Sequence, residues 1–243
     1  MNPRDARAAL AWLIEMGADE IVGEAPFNRF LAPAPVAATP VGAVEPARAT
    51  ASAAEACNSV EELQAALLAL ENFPLRKTAS NLCFAGGNPA ADVMVIGDVP
   101  GRDEDIEGKV FAGQNLILLE KMLGAIGLSA DSTSFFNFIP WRPPGNRTPT
   151  DAEVQLCQPY IMRAIELCQP RFILCLGGQP AQRLSGRNAG LLALRGKWFV
   201  LDIGPRKIPV LASFHPSYLL KQPGQKRLAW RDLLLLREAI DAH

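Results

Sequence analysis

Four short runs of apolar residues, rich in Val and Ile, recur along the second half of the chain. They are DVMVIG (92–97), SFFNFI (134–139), RFILCLG (171–177) and IPVLASF (208–214). Segments of helical length separate or follow them, at 115–126, 151–168 and 228–241. Continuous apolar strands joined by helices are typical of a parallel sheet that is covered on both faces. The pattern predicts an α/β fold with a central, mostly parallel four-stranded sheet and helices on both faces.

The chain before these strands has a different pattern. Residues 4–17 place apolar side chains at helical spacing, which predicts an amphipathic helix in an N-terminal helical segment, 1–31. Residues 32–57 are dominated by Ala and Pro, and we interpret them as a flexible linker.

The remaining residues, 58–243, are predicted to form one domain around the sheet. Its first helix is expected to begin near Ser59, because a hydroxyl followed three residues later by Glu62 can satisfy the free amides of a helix start. This helix is expected to end near Phe73 and Pro74.

Composition limits the class of protein. The 243 residues are 49% hydrophobic and 20% charged, as in a globular protein with a full core. No stretch is long and apolar enough for a membrane span, and the N-terminus lacks the apolar centre of a signal peptide. We therefore expect a cytoplasmic protein without a membrane partner. We also expect a monomer, although no feature of the sequence tests this.

Charge is distributed unevenly along the chain. Residues 1–72 hold four basic and ten acidic side chains, whereas residues 191–243 hold nine basic and four acidic ones, a local net charge of +5. A basic excess suits a surface that faces phosphates. It is also common on the solvated faces of proteins that never bind nucleic acid.

The five cysteines form no C-x-x-C pair, and Cys83 and Cys175 stand inside apolar runs. We therefore interpret the cysteines as buried free thiols.

Polar clusters follow the predicted strands, at the strand ends where open α/β sheets bind ligands. They are GDVPGRDED (97–105), NFIPWRPPGNR (137–147), LGGQPA (176–181) and HPSYLL (215–220). In the first, glycines beside Asp98 allow a ligand to approach the backbone closely, although a tight turn with solvated acids explains this loop equally well.

Two further side chains are candidates for chemistry. Asn137 stands in an aromatic strand, where an unpaired amide would cost about 1 to 3 kcal/mol, so it is either a satisfied core residue or a ligand reader. His215 follows the fourth strand and is either structural or a donor to negative charge that develops on a leaving group.

Four collinear motifs resemble the uracil-DNA glycosylase superfamily, most closely its iron–sulfur branch, family 4. They are GDVPGRDED with EGKVFAGQNLILLEKML (107–123), FNFIPWRPPGNRTPTDAEVQLCQP (136–159), RGKWF (195–199) and FHPSYLLKQPGQKRLAWRDL (214–233). The resemblance covers roughly residues 68–241. It implies a DNA-repair glycosylase that flips uracil out of DNA and hydrolyses its N-glycosidic bond, leaving an abasic site.

The resemblance also implies roles for individual residues. Asp98 positions water or stabilises sugar cationic charge, and His215 stabilises the leaving uracil anion. Phe111 stacks on the base, while Asn137 reads its N3–H and O4 edge. The backbone of Val99, Pro100 and Gly101 closes the pocket beside C5 and excludes the methyl group of thymine.

Contacts with uracil-containing DNA are expected from residues around these motifs. Tyr218 and Leu219 are candidates for the wedge that enters the vacated stack. The candidates for phosphate and other DNA contacts are Lys221, Lys226, Arg227, Ser217, Asn146 and Arg147.

The chain departs from the family pattern in two places of chemical importance. The family opens its first loop with Gly-Glu, whereas this chain has the shorter Asp98. Of the four cluster-ligand positions, Leu70, Phe73 and Trp141 occupy three and only Cys157 matches. Since these three side chains are not ligands, we predict no iron–sulfur cluster, no metal and no other cofactor, with an apolar plug in the cluster's place.

Three alternatives stay open at this stage. The first is a module of the same fold that recognises uracil or abasic sites with little or no chemistry, since Asp98 replaces Glu. The second is a glycosylase that prefers other deaminated bases. An unrelated nucleotide-binding enzyme is the third, and the lack of G-x-x-x-x-G-K-[ST] and of a convincing G-x-G-x-x-G argues against it.

Overall fold

Six strands form one sheet, in the order β1-β3-β2-β4-β6-β5, in a computed structural model that describes residues 44–70 and 73–242. The strands are β1 (Ala85–Gly87), β2 (Val93–Gly97), β3 (Thr133–Asn137), β4 (Phe172–Leu176), β5 (Trp198–Ile203) and β6 (Arg206–Ser213). The four predicted strands are β2, β3, β4 and β6, and they pair in parallel. The predicted α/β class with a mostly parallel sheet is therefore confirmed.

The predicted number of four strands is wrong, because an antiparallel strand closes each edge. At one edge β1 pairs with β3, and at the other β5 pairs with β6. The sequence of β1, Ala-Gly-Gly, has neither an apolar run nor an alternating pattern. Its strand conformation comes from pairing with β3, which is a tertiary contact.

Helices cover both faces of the sheet. The described residues form α1 (Val44–Glu55), α2 (Val60–Ala69), α3 (Arg102–Glu107), α4 (Gly113–Gly124), α5 (Asp151–Cys168), α6 (Gly178–Ser185), α7 (Leu191–Leu194), α8 (Pro216–Lys221) and α9 (Lys226–Asp241). One buried apolar cluster includes side chains of α2 and α5, and a second, separate cluster includes side chains of α4 and α9. The three predicted helical segments correspond to α4, α5 and α9.

Helix α1 lies inside the stretch that we predicted to be a linker, so that prediction is wrong from residue 44 to residue 55. Thr50 and Ala54 are buried, and α1 packs against α5. Alanine has the highest helix propensity and its small side chain lets two helices approach closely. Composition alone therefore did not reveal that this segment forms a packed helix. The predicted helix over residues 4–17 lies outside the described residues.

The predicted start of α2 is confirmed. The hydroxyl of Ser59 accepts a hydrogen bond from the backbone N–H of Glu62 at 3.1 Å. The helix ends at Ala69, earlier than predicted, because Leu70 adopts an extended conformation.

The cysteines are free, as predicted, and four of the five are buried, while Cys168 is half-buried. Across the described residues, no helix is long and apolar enough to cross a membrane.

Candidate active site

The predicted polar loops come together at the carboxyl edge of the four parallel strands. The backbone N–H of Ile139 donates to the carbonyl of Asp98, and that of Gly177 donates to the carbonyl of Ser213. Gly97 at the end of β2 lies directly beside Asn137 at the end of β3. These contacts fix the spacing of the loops that carry the candidate side chains.

A cavity of about 480 Å³ opens among these loops. Of the predicted site residues, Asp98, Val99, His215, Ser217 and Tyr218 line it. Its other walls are formed by Phe214 and by residues that the sequence did not single out, namely Gly177, Gly178, Gly190, Leu191 and Leu192. Asn137, Phe111, Pro100 and Gly101 are not part of this lining.

The carboxylate of Asp98 is held by the beginning of α6. It accepts hydrogen bonds from the backbone N–H groups of Gly178 and Gln179, while its Oδ1 is buried without a hydrogen-bond partner among the described residues. Burial raises the pKa of Asp98 to about 6, and the two backbone hydrogen bonds oppose this effect. At neutral pH Asp98 is therefore a carboxylate with one uncommitted oxygen.

Gly177 makes this approach of Asp98 to α6 possible. Its φ is +122°, a conformation that favours glycine, and a Cβ at this position would lie 2.8 Å from Oδ2 of Asp98. The LGGQPA segment therefore forms one wall of the site. The sequence indicated only that it is a polar cluster after a strand, and not that it positions Asp98.

His215 caps α8 and is fixed in one tautomer. The backbone N–H of Ser217 donates to its Nδ1 at 3.2 Å, so Nδ1 carries a lone pair and the proton of the neutral ring is on Nε2. The Ser217 hydroxyl also lies 2.8 Å from Nδ1. Burial lowers the pKa of His215 to about 4, so the ring is neutral at physiological pH.

Asn137 is almost completely buried, and its amide is oriented by the backbone. Its Nδ2 donates to the carbonyl oxygens of Cys83 and Val110, at 3.0 and 3.2 Å. Its Oδ1 has no partner among the described residues. The expectation that Asn137 reads both N3–H and O4 is therefore wrong for O4, because both donor hydrogens are already used, and only the acceptor is free.

Phe111 connects Asn137 to His215. A Cβ on Gly97 would lie 2.6 Å from Oδ1 of Asn137 and 3.1 Å from Cζ of Phe111, so both side chains approach the same point of β2. The ring of Phe111 stacks on His215 with 5.5 Å between centroids. This is direct ring contact, so there is no room for another ring between Phe111 and His215.

Two acidic residues of the first loop are structural rather than solvated. Glu104, which is buried, accepts hydrogen bonds from the backbone N–H groups of Gly101 and Ala112 and from the side chain of Asn115. Asp105, also buried, accepts from the backbone N–H groups of Ser80 and Asn81. Glu104 thereby ties the Val99–Gly101 loop to the segment that carries Phe111.

A buried ion pair lies behind His215. Asp232 on α9 is fully buried, pairs with the guanidinium of Arg195 and accepts a hydrogen bond from the hydroxyl of Ser213 at 2.7 Å. The guanidinium of Arg195 also lies 5.4 Å from the ring centre of Phe214. This network anchors the end of β6, from which His215 projects. In the sequence, only the RGKWF motif, which contains Arg195, pointed to this network.

The candidate wedge residues differ in exposure. Tyr218 is 39% exposed and stacks on Phe214, whereas Leu219 is 1% exposed and belongs to the core. The prediction that Leu219 enters the DNA stack is therefore wrong, because α8 turns this side chain toward α4 and α9. The exposed leucine of this helix is Leu220.

The candidate phosphate contacts are distributed over two regions. Lys221, Lys226 and Arg227 are exposed at the end of α8 and the start of α9. Arg147 forms a two-point ion pair with Glu153 at the beginning of α5, at 2.9 and 2.6 Å. Asn146 is exposed, and its Oδ1 accepts a hydrogen bond from Arg142. Arg147 thus has a structural task, and its contact with DNA stays a prediction.

The position that corresponds to the iron–sulfur cluster is filled by apolar side chains. Phe73 and Trp141 are buried and in ring contact, with centroids 4.8 Å apart. Leu70 and Cys157 belong to the same apolar cluster, and burial raises the pKa of the Cys157 thiol. The described residues contain no group of three or more His, Cys, Asp or Glu side chains able to hold a metal. These residues do not fit an iron–sulfur cluster.

The fold and the site define an α/β protein whose parallel strands bring the carboxylate of Asp98, the neutral imidazole of His215 and the amide oxygen of Asn137 to one edge of the sheet. The profile of the Uracil DNA glycosylase superfamily matches residues 84–234, and the chain belongs to this superfamily.

Similar proteins include several Type-4 uracil-DNA glycosylases. The one from Archaeoglobus fulgidus is 32% identical over 169 residues, which cover 68% of this chain and 85% of the relative. The one from Saccharolobus solfataricus is 33% identical over 173 residues, covering 69% and 80%. The one from Thermotoga maritima is 32% identical over 152 residues, covering 61% and 76%.

Proposed function

We propose that this protein is a uracil-DNA glycosylase, which flips uracil out of DNA and hydrolyses its N-glycosidic bond to leave an abasic site. The observation that carries the proposal is the fixed tautomer of His215 at a cavity that it shares with Asp98. Membership of the superfamily and the Type-4 relatives give independent support.

His215 stabilises the leaving base. As the glycosidic bond breaks, negative charge develops on the uracil ring and positive charge on the sugar. Because the backbone N–H of Ser217 occupies Nδ1, the Nε2–H of the neutral ring is the donor that faces the departing anion. Burial keeps the imidazole uncharged at neutral pH, so His215 acts as a neutral hydrogen-bond donor to the anion.

Asp98 acts on the sugar side of the bond. Its free Oδ1 accepts a hydrogen bond from the attacking water or faces the cationic C1′ carbon, while α6 holds Oδ2. The water then adds to C1′ and its proton passes to the carboxylate. The hydrogen bonds from α6 give the shorter Asp side chain a defined position without the extra methylene of Glu.

Uracil is selected by one amide oxygen and by the loop after β2. Asn137 Oδ1 accepts the N3–H of uracil, and cytosine is disfavoured because its N3 has no proton. The loop of Val99, Pro100 and Gly101, tied down by Glu104, borders C5 and opposes the methyl group of thymine. Phe111 supports the base from the side of His215.

The proposed activity needs no iron–sulfur cluster. Phe73 and Trp141 supply no ligand atom, and their contact fills the volume with apolar side chains. The role of the cluster position is then purely structural. Purified protein is expected to be colourless and to contain no iron or acid-labile sulfide. A brown protein with stoichiometric iron would contradict this part of the proposal.

A gel assay tests the activity directly. Labelled duplexes carry one U opposite G, one U opposite A or one T opposite G, and are treated with alkali after incubation with the protein in EDTA. We expect cleavage of both uracil strands and not of the thymine strand. Binding to uracil or abasic DNA without cleavage would instead favour the recognition module, and cleavage of other deaminated bases in preference to uracil would favour the broader specificity.

The first variant to measure is His215→Ala. Loss of the only donor assigned to the leaving base should lower the single-turnover rate about 10²-fold or more. Gln155→Ala, which shortens an exposed polar side chain on α5, is the control and should excise uracil at the wild-type rate. Near-normal chemistry in His215→Ala would rule out its role.

A second variant, Asn137→Ala, tests base selection. It should lose preference for uracil over cytosine, because the free amide oxygen assigned to the N3–H of uracil is removed. Excision from U and C opposite G is compared for wild type, Asn137→Ala and the control Asn88→Ala, which changes an exposed asparagine. Full excision with full discrimination in Asn137→Ala would refute the assignment.

A further inference from the structure

An exposed leucine on α7 stands at the edge of the active-site cavity. Leu192 is 71% exposed, more than any other large apolar side chain of the described residues, and it also lines the cavity. Isolated exposed leucines are common and need no explanation. Leu192 differs because it is exposed and is also part of the cavity lining.

The orientation of Leu192 is fixed by its neighbours. Leu194 is buried and Leu191 packs against both apolar clusters, so α7 is anchored on its inner side. The side-chain amide of Gln182 donates to the carbonyl of Ala189 just before α7, and Arg195 just after it is paired with Asp232. With both ends of this helical turn attached, Leu192 keeps its outward position.

The cavity is larger than a pyrimidine base requires. Its volume of about 480 Å³ lies in the range of pockets that take drug-sized ligands. Within residues 44–70 and 73–242, two of the exposed large apolar side chains, Leu192 and Tyr218, belong to its lining. They come from different elements, α7 and α8, so the mouth of the cavity has two apolar contact points.

We propose that Leu192 packs against the base next to the flipped uridine and replaces the stacking that this base has lost. The inference rests on the proposed function and adds a DNA contact to it. Apolar side chains serve in this way where DNA is unstacked, and Leu219, the expected wedge, is buried. Two basic residues near these helices in sequence, Arg187 ahead of α7 and Lys221 on α8, are exposed and are the candidates for contacts with the phosphates of the same strand.

The test compares Leu192→Ala and Leu192→Glu with wild type and with Val200→Ala. Val200 is 56% exposed on the edge strand β5 and does not line the cavity, so it is a matched control. The dissociation constant for a U·G duplex should rise about tenfold in Leu192→Ala, since burial of most of a leucine side chain is lost, and further in Leu192→Glu. Val200→Ala should bind like wild type.

A modified substrate isolates the proposed contact. When the nucleotides on both sides of the uridine carry no base, Leu192→Ala and wild type should bind equally. A 2-aminopurine beside the uridine should also become less fluorescent in complexes of the variant if its environment reverts toward the stacked state. Equal binding of Leu192→Ala and Val200→Ala to the intact duplex would overturn the contact. Absence of uracil excision by wild type would instead overturn the proposed function.

Discussion

The carboxylate of Asp98 shows how one side chain depends on a distant loop. Its hydrogen-bond donors belong to Gly178 and Gln179, eighty residues away in sequence, and its position requires a glycine at 177. A carboxylate that accepts backbone N–H groups at a helix start is stabilised in its charged form. Burial outweighs this stabilisation, so the pKa of Asp98 rises to about 6.

The pH dependence of excision follows from this pKa. Asp98 acts as a carboxylate, so the single-turnover rate should be constant above about pH 7 and fall about tenfold per pH unit below about pH 6. Protonation of His215, whose pKa is about 4, lies outside this range. The rate is measured between pH 5 and pH 8.5 on a U·G duplex.

Asp98→Asn should be much slower and should lose the break near pH 6. The matched control Asp131→Asn changes an exposed carboxylate and should keep the wild-type profile. A break near pH 6 that persists in Asp98→Asn would assign it to another group.

Neighbouring side chains of the short helix α8 lie in different surroundings. Residues 217–220 follow His215 in a row, yet Ser217 bonds to the imidazole, Tyr218 lines the cavity and Leu219 enters the core. The sequence pattern marked this helix as functional. Which of its side chains face the DNA depends on how α8 packs against α4 and α9, because successive helical residues point about 100° apart.

The aromatic pair of Phe73 and Trp141 holds the segment after α2 against the loop after β3. Trp141→Ala should lower the free energy of unfolding by about 3 to 5 kcal/mol, because a large buried side chain is removed and a cavity is left. Trp230 is 41% exposed on α9, so Trp230→Ala is the matched control and should change stability by less than about 1 kcal/mol.

Urea unfolding followed by circular dichroism measures both variants. Equal stability of Trp141→Ala and Trp230→Ala would mean that the cluster position does not contribute to the core. Metal content of both variants should equal that of wild type.

The positive charge that bears on function is concentrated in the last part of the sequence. The formal net charge is only −1, while the last 53 residues contain nine of the 24 basic side chains. Among them Lys221, the last residue of α8, and Arg227, near the start of α9, are exposed. The long-range attraction of DNA is therefore expected to depend on this part of the chain.

Salt dependence measures these contacts. Lys221→Ala and Arg227→Ala should each weaken binding to uracil-containing and undamaged duplexes alike, and each should reduce the slope of log K against log salt by about 1. Lys207→Ala is the control, because Lys207 is paired with Asp202 in the β5–β6 hairpin. Unchanged slopes for both variants would place the phosphate contacts elsewhere.

The α/β class, the four parallel strands and the strand ends that carry Asp98, Asn137 and His215 could be predicted from the sequence. They were predictable because continuous apolar runs and helical spacing are local patterns, and because parallel strands bring their carboxyl ends to one edge. The start of α2 was predictable for the same reason, since the hydrogen bond of its first turn joins residues only three apart.

Sequence patterns could not reveal the edge strand β1, the donors to Asp98, the single free acceptor of Asn137 or the placement of Leu192 and Leu219. Each depends on contacts between residues that are far apart in sequence: β1 needs β3, Asp98 needs α6, and the amide of Asn137 needs Cys83 and Val110. A periodic pattern identifies a buried face, but the partner that covers it is fixed only when the chain packs.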